Sequence, residues 1–229
     1  MTITPLQAMA RAASTLVADH DVTDVLAQLL ADATESLDAS AAGMLLLRPG
    51  GLLEVLTATS HRALDLELYQ AQERRGPCAE AVSTDAVVIA TDLASIRTRW
   101  PGLAPLIEAA GYVAVHAYPL HWHGQVLGAF NVFHERQLST QTDELGQAFA
   151  DVATLVLVTP THLSIPTLAS LVDAALSGRT VIEQAKGVLA YQLTVTTEKA
   201  YSILLRRARD TGSSVTATAQ DIVKGAYSS

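Results

Sequence analysis

The chain has a single cysteine, Cys78, so it can form no intramolecular disulfide and no all-cysteine metal site, and a reducing compartment suits it. It also lacks any run of about twenty uninterrupted apolar residues of the kind that crosses a bilayer. The stretch from Met1 to Arg11 has neither the basic start nor the long apolar core of a secretory signal. A soluble, cytoplasmic protein with no membrane partner is expected. No Ser-His-Asp set, phosphate loop or zinc-ligand spacing is present, so no catalytic residue and no metal ligand is assigned and an enzyme is not expected. Internal repeats and low-complexity tracts are likewise missing.

Lysine is absent from the first 165 residues, which hold eight arginines against eighteen acids, a balance of -10. The remaining 64 residues hold seven basic groups against five acids, a balance of +2, and contain all three lysines, Lys186, Lys199 and Lys224. Binding to phosphate scales with the number of engaged Lys and Arg, so a nucleic-acid surface belongs near the C-terminus and not on the acidic part.

From Asp21 to Leu37 the apolar residues Val22, Val25, Leu26, Leu29, Leu30 and Ala33 recur every three or four positions, the stripe of an amphipathic helix. The period then changes. Ala41–Leu47 and Leu52–Ala58 flank a Pro49-Gly50-Gly51 turn and predict a hairpin. Ala63–Arg75 reads as helical, Ala86–Ala90 as a strand, and Leu103–Ala110 as a helix. Tyr112–Leu120 and Gln125–Phe133 form a second hairpin through His123-Gly124, and Thr140–Val158 is a last helix. The prolines Pro160 and Pro166 cannot sit inside a continuing helix, which places a linker at residues 159–166 between domains at 1–158 and 167–229.

Beyond Pro166 the positions Leu168, Leu171, Ala175 and Ile182, followed by Ala185 and Leu189, step by threes and fours apart from a break at Gly178. Such a seam either packs within its own domain or pairs two chains. Thr196 is placed to cap a second helix, with Glu198 in its first turn and Ala200, Tyr201, Leu204, Leu205 and Ala208 inward, and Gly212 ends it. Val215-Thr216 starts a third helix, capped by Thr216, with Ala219, Ile222 and Val223 inward as far as Gly225. The fold class is therefore an α+β N-terminal domain, an antiparallel sheet with helices on one face and a pocket region on the other, followed by an all-α three-helix C-terminal domain.

Over about residues 20–158 the element order, with Gly76-Pro77-Cys78 opening a short helix, resembles a GAF domain. The C-terminal residues Gly178-Arg179-Thr180-Val181-Ile182-Glu183-Gln184-Ala185-Lys186-Gly187-Val188-Leu189, Glu198-Lys199-Ala200-Tyr201, Leu204-Leu205-Arg206, Val215, Ala219 and Ile222-Val223 resemble an ANTAR domain over about 166–226. The ANTAR resemblance implies binding to paired hairpin loops in a nascent leader transcript, which stops a terminator stem from forming, and two modules, hence a homodimer, to grip the two loops. Departures from that family are Ser213 and Ser214, where a basic residue often precedes the third helix, and Tyr191-Gln192 at the end of the first.

Arg179 and Lys186, seven apart, share one helix face and can offer a positive ridge. Gly187 lowers helix stability by up to ~1 kcal/mol relative to Ala, which fits close approach of RNA or equally close helix packing. Arg206, Arg207 and Arg209 crowd the end of the second helix, where guanidinium groups cap carbonyls, stack on bases or bind phosphate. With Gln184 and Lys224 the RNA-binding candidates are Arg179, Gln184, Lys186, Gly187, Arg206, Arg207 and Lys224. Tyr201 can stack on a flipped base but is placed in the core, where an aromatic at that spacing more often lies.

The GAF resemblance implies a small-molecule regulatory ligand or a dimer contact. No cofactor is evident and the ligand is unassigned. Cys78 at a helix start is a redox candidate, since the dipole there lowers a thiol pKa, although a lone cysteine is usually a small buried hydrophobe. His116, His121, His123 and His134 lie on or beside the last hairpin, and His121 with His123 on one strand face is the pair placed for a metal or haem contact, with no acidic or cysteine partner to complete a set. The alternative to the RNA-binding reading is a ligand or redox sensor and dimerisation module that works through protein–protein contacts.

Overall fold

In the computed structural model, which describes residues 3–17, 21–48, 50–138, 144–159 and 180–227, two hairpins are brought together by the pairing of their inner strands. Ala41–Leu47 (β1) and Leu53–Ala58 (β2) form the first hairpin. Ala114–Trp122 (β4) and Gln125–His134 (β5) form the second through a turn at His123 and Gly124, both with positive φ. Strand β1 then pairs antiparallel with β5, Gly43 opposite Asn131 and Leu45 opposite Ala129. Val88–Ala90 (β3) joins the far edge of β4, giving the order β2-β1-β5-β4-β3.

Successive residues of a strand face opposite sides, so each strand feeds two cores. Ala42, Met44, Tyr118, Leu120, Phe130 and Val132 pack with Val22–Ser36 (α2), Glu144–Val158 (α7) and Pro5–Val17 (α1). Leu45, Val115, Ala117, Ala129 and Phe133 face His61–Glu73 (α3), Pro77–Thr84 (α4), Leu93–Arg99 (α5) and Ala104–Ala109 (α6). Helices therefore cover both sheet faces, where the sequence placed them on one, and the face expected to carry a pocket region is covered by α3 and α4. Helices α1 and α5 were not apparent in the periodicity. Asp21 and Asp92 cap α2 and α5 by accepting from backbone N–H groups, which stabilises each by about 1 kcal/mol.

The chain divides into two compact units, residues 1–162 and 163–229. Apart from Thr159, the linker expected at 159–166 lies outside the described residues, as do Leu168, Leu171, Ala175 and Arg179 and the first four residues of the helix expected from Thr140. The second unit consists of α8, described over residues 180–193, Thr197–Thr211 (α9) and Val215–Tyr227 (α10). Its core is Ala185, Leu189, Ala200, Leu204 and Ala219, with Val181, Ile182, Val215, Ile222 and Val223 packed around them. Ile182 thus contributes to the core of its own unit.

Thr196 caps α9 by accepting from the Lys199 N–H at 3.3 Å, and Gly212, with φ 63°, ends it in the left-handed conformation glycine adopts without strain. The α10 cap is Ser214, whose Oγ accepts from the Ala217 N–H at 3.1 Å, and not Thr216. The helix also runs past Gly225 to Tyr227.

Candidate functional sites in the two units

On α8, Lys186 does not stand as a free cation: its Nζ lies 2.9 Å from both Glu183 carboxylate oxygens, one turn away, and 5.5 Å above the Tyr201 ring of α9. Tyr201, expected in the core, is 40% exposed. At sixty degrees or so from the buried Leu204 line it sits at the margin of the helix interface, where Lys186 meets it. Gln184 is exposed but lies about 200° round α8 from Lys186, so the two belong to different faces. Among the described residues a Cβ on Gly187 would meet nothing within 4 Å, so packing against them gives no reason for a glycine there.

Helix α9 carries the larger share of accessible charge. Lys199, Arg206 and Arg209 are exposed and fall within an arc of about 80° opposite its buried line, with Asp210 beside them. Among the described residues none of the three has an ion-pair partner. Arg207 is exposed roughly 100° away from Arg206, and Lys224 is exposed on α10. At the start of α9, hydrogen bonds from its own backbone N–H, Thr196 and Thr197 hold the Glu198 carboxyl below its ordinary value.

The first unit treats its polar groups differently. Between α3 and the sheet, the buried Glu67 carboxyl accepts from Asn131 Nδ2 at 2.7 and 2.9 Å and from Gln70 Nε2 at 3.1 Å. Gln70 Oε1 in turn accepts from the Cys78 N–H at 3.0 Å, tying α3 to α4. The space for the carboxyl is made by Gly43, where a Cβ would stand 2.4 Å from Glu67 Oε1. Burial outweighs the Asn131 hydrogen bonds and pushes Glu67 up to about 8, so it is mainly neutral at pH 7.

Cys78 is fully enclosed, and burial followed by the proximity of Glu67 raises its thiol well above the ordinary value. The lowered pKa expected from a helix start is thus reversed: desolvation dominates, and the group is a shielded thiol. His116 and His134 are buried with ring centroids 5.7 Å apart, and burial followed by His116 pushes His134 down to about 4. His123 occupies the turn, not the face shared with His121. His121 does find acidic neighbours, Asp85 at 3.6 Å and Asp151 at 4.0 Å, supplied by other parts of the unit. No cluster of three or more His, Cys, Asp or Glu suited to a metal ion occurs among the described residues.

At the outer end of α3 and α4 lies a cavity of about 710 Å³, bordered by Tyr69, Arg74, Arg75, Val82, Arg99 and Trp100 among others. Periodicity gave no sign of it, because its walls come from five elements, β1, β2, α3, α4 and α5, and the loops beside them. The Glu67 network had one sequence signal, the polar Asn131 within the otherwise apolar run Val126–Phe133 of β5. No described helix is long and apolar enough to cross a membrane.

Comparison with known families agrees with both halves. Residues 19–158 match the family model described as GAF domain, and residues 172–223 match that described as ANTAR domain. No curated protein matches the chain in sequence. Among solved structures, the phycoerythrobilin-bound GAF domain from a cyanobacterial phytochrome is similar at TM-score 0.52 and 14% identity, covering 69% of this chain and 97% of that one. The GAF domain of a phosphoenolpyruvate-protein phosphotransferase from Acinetobacter gives TM-score 0.51 at 9% identity, with coverage of 66% and 91%. For fRMsr of Staphylococcus aureus in its reduced form the values are 0.50 and 15%, with coverage of 67% and 95%. At these identities the likeness concerns the fold alone. GAF and ANTAR domains are regulatory and not catalytic modules, although some proteins of GAF fold are enzymes.

Proposed function

Because the chain belongs to the GAF domain family and carries an ANTAR domain after it, we propose that it is a signal-responsive regulator that binds paired hairpin loops in nascent leader transcripts and keeps a terminator stem from forming. The observation that carries this reading is the outer face of α9. Lys199, Arg206 and Arg209 lie exposed together there without ion-pair partners among the described residues, in a segment whose net charge is +2 within a chain of -8. Arginine suits the task because its planar guanidinium both pairs with phosphate and stacks on the unpaired bases that a loop presents. One bundle offers one such face, so gripping two loops takes two chains, and the working form is a homodimer in the cytoplasm.

In this reading residues 1–162 are the input. They are acidic overall, contribute nothing to RNA affinity, carry no reaction, and respond to a small molecule by changing how the C-terminal bundles are presented. Crosslinking the full chain to RNA in cells and folding the recovered leaders tests the proposal. Enrichment of twin hairpins upstream of terminators is expected. Recovery no better than a background protein would overturn it, and would favour the reading in which the chain acts through protein–protein contacts.

A further inference from the structure

The space between α3, α4 and the strands is filled by the Glu67 network and by the Tyr112–Phe133 stack, whose ring centroids are 5.3 Å apart. Room for a ligand lies instead at the outer corner, in the 710 Å³ cavity, which falls within the ~300–1,000 Å³ common for small-molecule sites. Its charges sort into two groups. Arg99 is committed: it reaches Glu80 Oε1 at 2.5 Å and the Ile89 carbonyl at 2.8 Å, and it stacks 4.5 Å over the Trp100 ring. Glu80 is committed too, since its other oxygen accepts from Trp100 Nε1 at 3.1 Å. These residues neutralise one another and build a rigid wall.

Arg74 and Arg75 are different. They stand side by side at the mouth, exposed, with no ion pair and no hydrogen bond among the described residues, and Arg74 reaches over Gly51 from a left-handed backbone at φ 53°. The end of α3 favours cations, but neither guanidinium donates to its carbonyls. The exposed Glu73 is the one acid at the mouth left to oppose them, so this corner carries a surplus of positive charge in a part of the chain whose balance is -10. Behind the arginines the wall becomes apolar and aromatic, with Leu53, Tyr69, Val82 and Trp100.

We infer that this corner is a binding site for an amphipathic organic anion, whose carboxylate, sulfonate or phosphate pairs with Arg74 and Arg75 while a flat apolar body lies against Tyr69, Val82 and Trp100. The site rests on the reading of residues 1–162 as the sensor and gives that sensor a class of ligand. The acidic surroundings repel anions in general, so capture depends on the two guanidinium groups.

The test uses the full chain and two fluorescent probes, 8-anilinonaphthalene-1-sulfonate and N-phenyl-1-naphthylamine, which share ring systems and differ by the sulfonate. Saturable binding of the sulfonate at one site per chain is expected, with quenching of tryptophan emission. In the Arg74→Ala, Arg75→Ala variant its affinity falls at least about tenfold, as loss of charge-assisted hydrogen bonds implies, while the neutral amine is little affected. Val82→Trp fills the cavity and removes binding of both probes. Equal binding of the sulfonate to the double variant and the parent, both folded by circular dichroism, overturns the inference, as does probe binding that survives Val82→Trp. RNA titration of the same preparations reads the other unit. Retained RNA binding without probe binding sinks this inference alone, and the converse sinks the RNA-binding proposal alone.

Discussion

The two units handle charge in opposite ways. Residues 1–162 take titratable groups inside: Glu67, Cys78, His116 and His134 are all buried, and desolvation favours the neutral forms of Glu67, Cys78 and His134. Among its described residues the C-terminal bundle buries no charged side chain and closes on three alanines and two leucines. The first arrangement makes stability responsive to the chemical environment, which suits an input. The second leaves a cationic surface free for a polyanion, with little core to spare.

The sharpest way to break the comparison is in that small core. Leu204→Ala, at a site with no exposed surface, is expected to destabilise the bundle by about 2–5 kcal/mol, most of what a three-helix unit of this size holds. Hydrogen exchange read by mass spectrometry should then show residues 180–227 exchanging freely while the sheet of the first unit stays protected. Uniform loss of protection in both would mean that the two do not behave as separate units.

A smaller effect tests the buried acid. Glu67 ionises near 4.5 when unfolded and about 8 when folded, so the folded chain holds a proton that the unfolded chain has lost, and stability falls as pH rises through that window. His134 works the other way between 6.5 and about 4, costing stability as pH falls. The two oppose each other below 6.5, and Glu67 acts alone above it. Urea unfolding of the first unit should lose about 2 kcal/mol between pH 6.5 and 8, and Glu67→Gln should flatten that slope while keeping a group of the same shape. An unchanged slope in the variant would remove Glu67 from the account.

The smallest effect is at Gly187. With nothing among the described residues within 4 Å of a Cβ, Gly187→Ala should stabilise the bundle by ~0.5–1 kcal/mol in thermal unfolding. If RNA approaches the backbone there, the same change weakens RNA binding, and a variant both more stable and equally tight would show that it does not.

Much of this fold was legible because local chemistry announced it. Gly50-Gly51 and His123-Gly124 marked the hairpins, the α2 stripe marked a half-buried helix, and Thr196 and Gly212 bounded α9. The α1 helix was missed because its buried positions are the small residues Ala8 and Ala12, and α5 because seven residues are too few to show a period. The strand order was out of reach, since β1 and β5 are joined across some eighty residues by packing and not by a turn. Glu67 looked like any helix-surface acid until Asn131, 64 residues on, was brought against it. The α9 arginines were readable as a cluster, whereas the pairing of Lys186 with Glu183 and Tyr201 needed two helices in register.

The central claim is that the outer face of α9 holds looped RNA. Its most direct test is the salt dependence of binding between the full chain and a tandem-hairpin RNA, compared with Arg206→Ala, Arg209→Ala. The account predicts tight binding at low salt and a slope of log affinity against log salt reduced by about two in the double variant. No binding at low salt, or an identical slope in parent and variant, would contradict it.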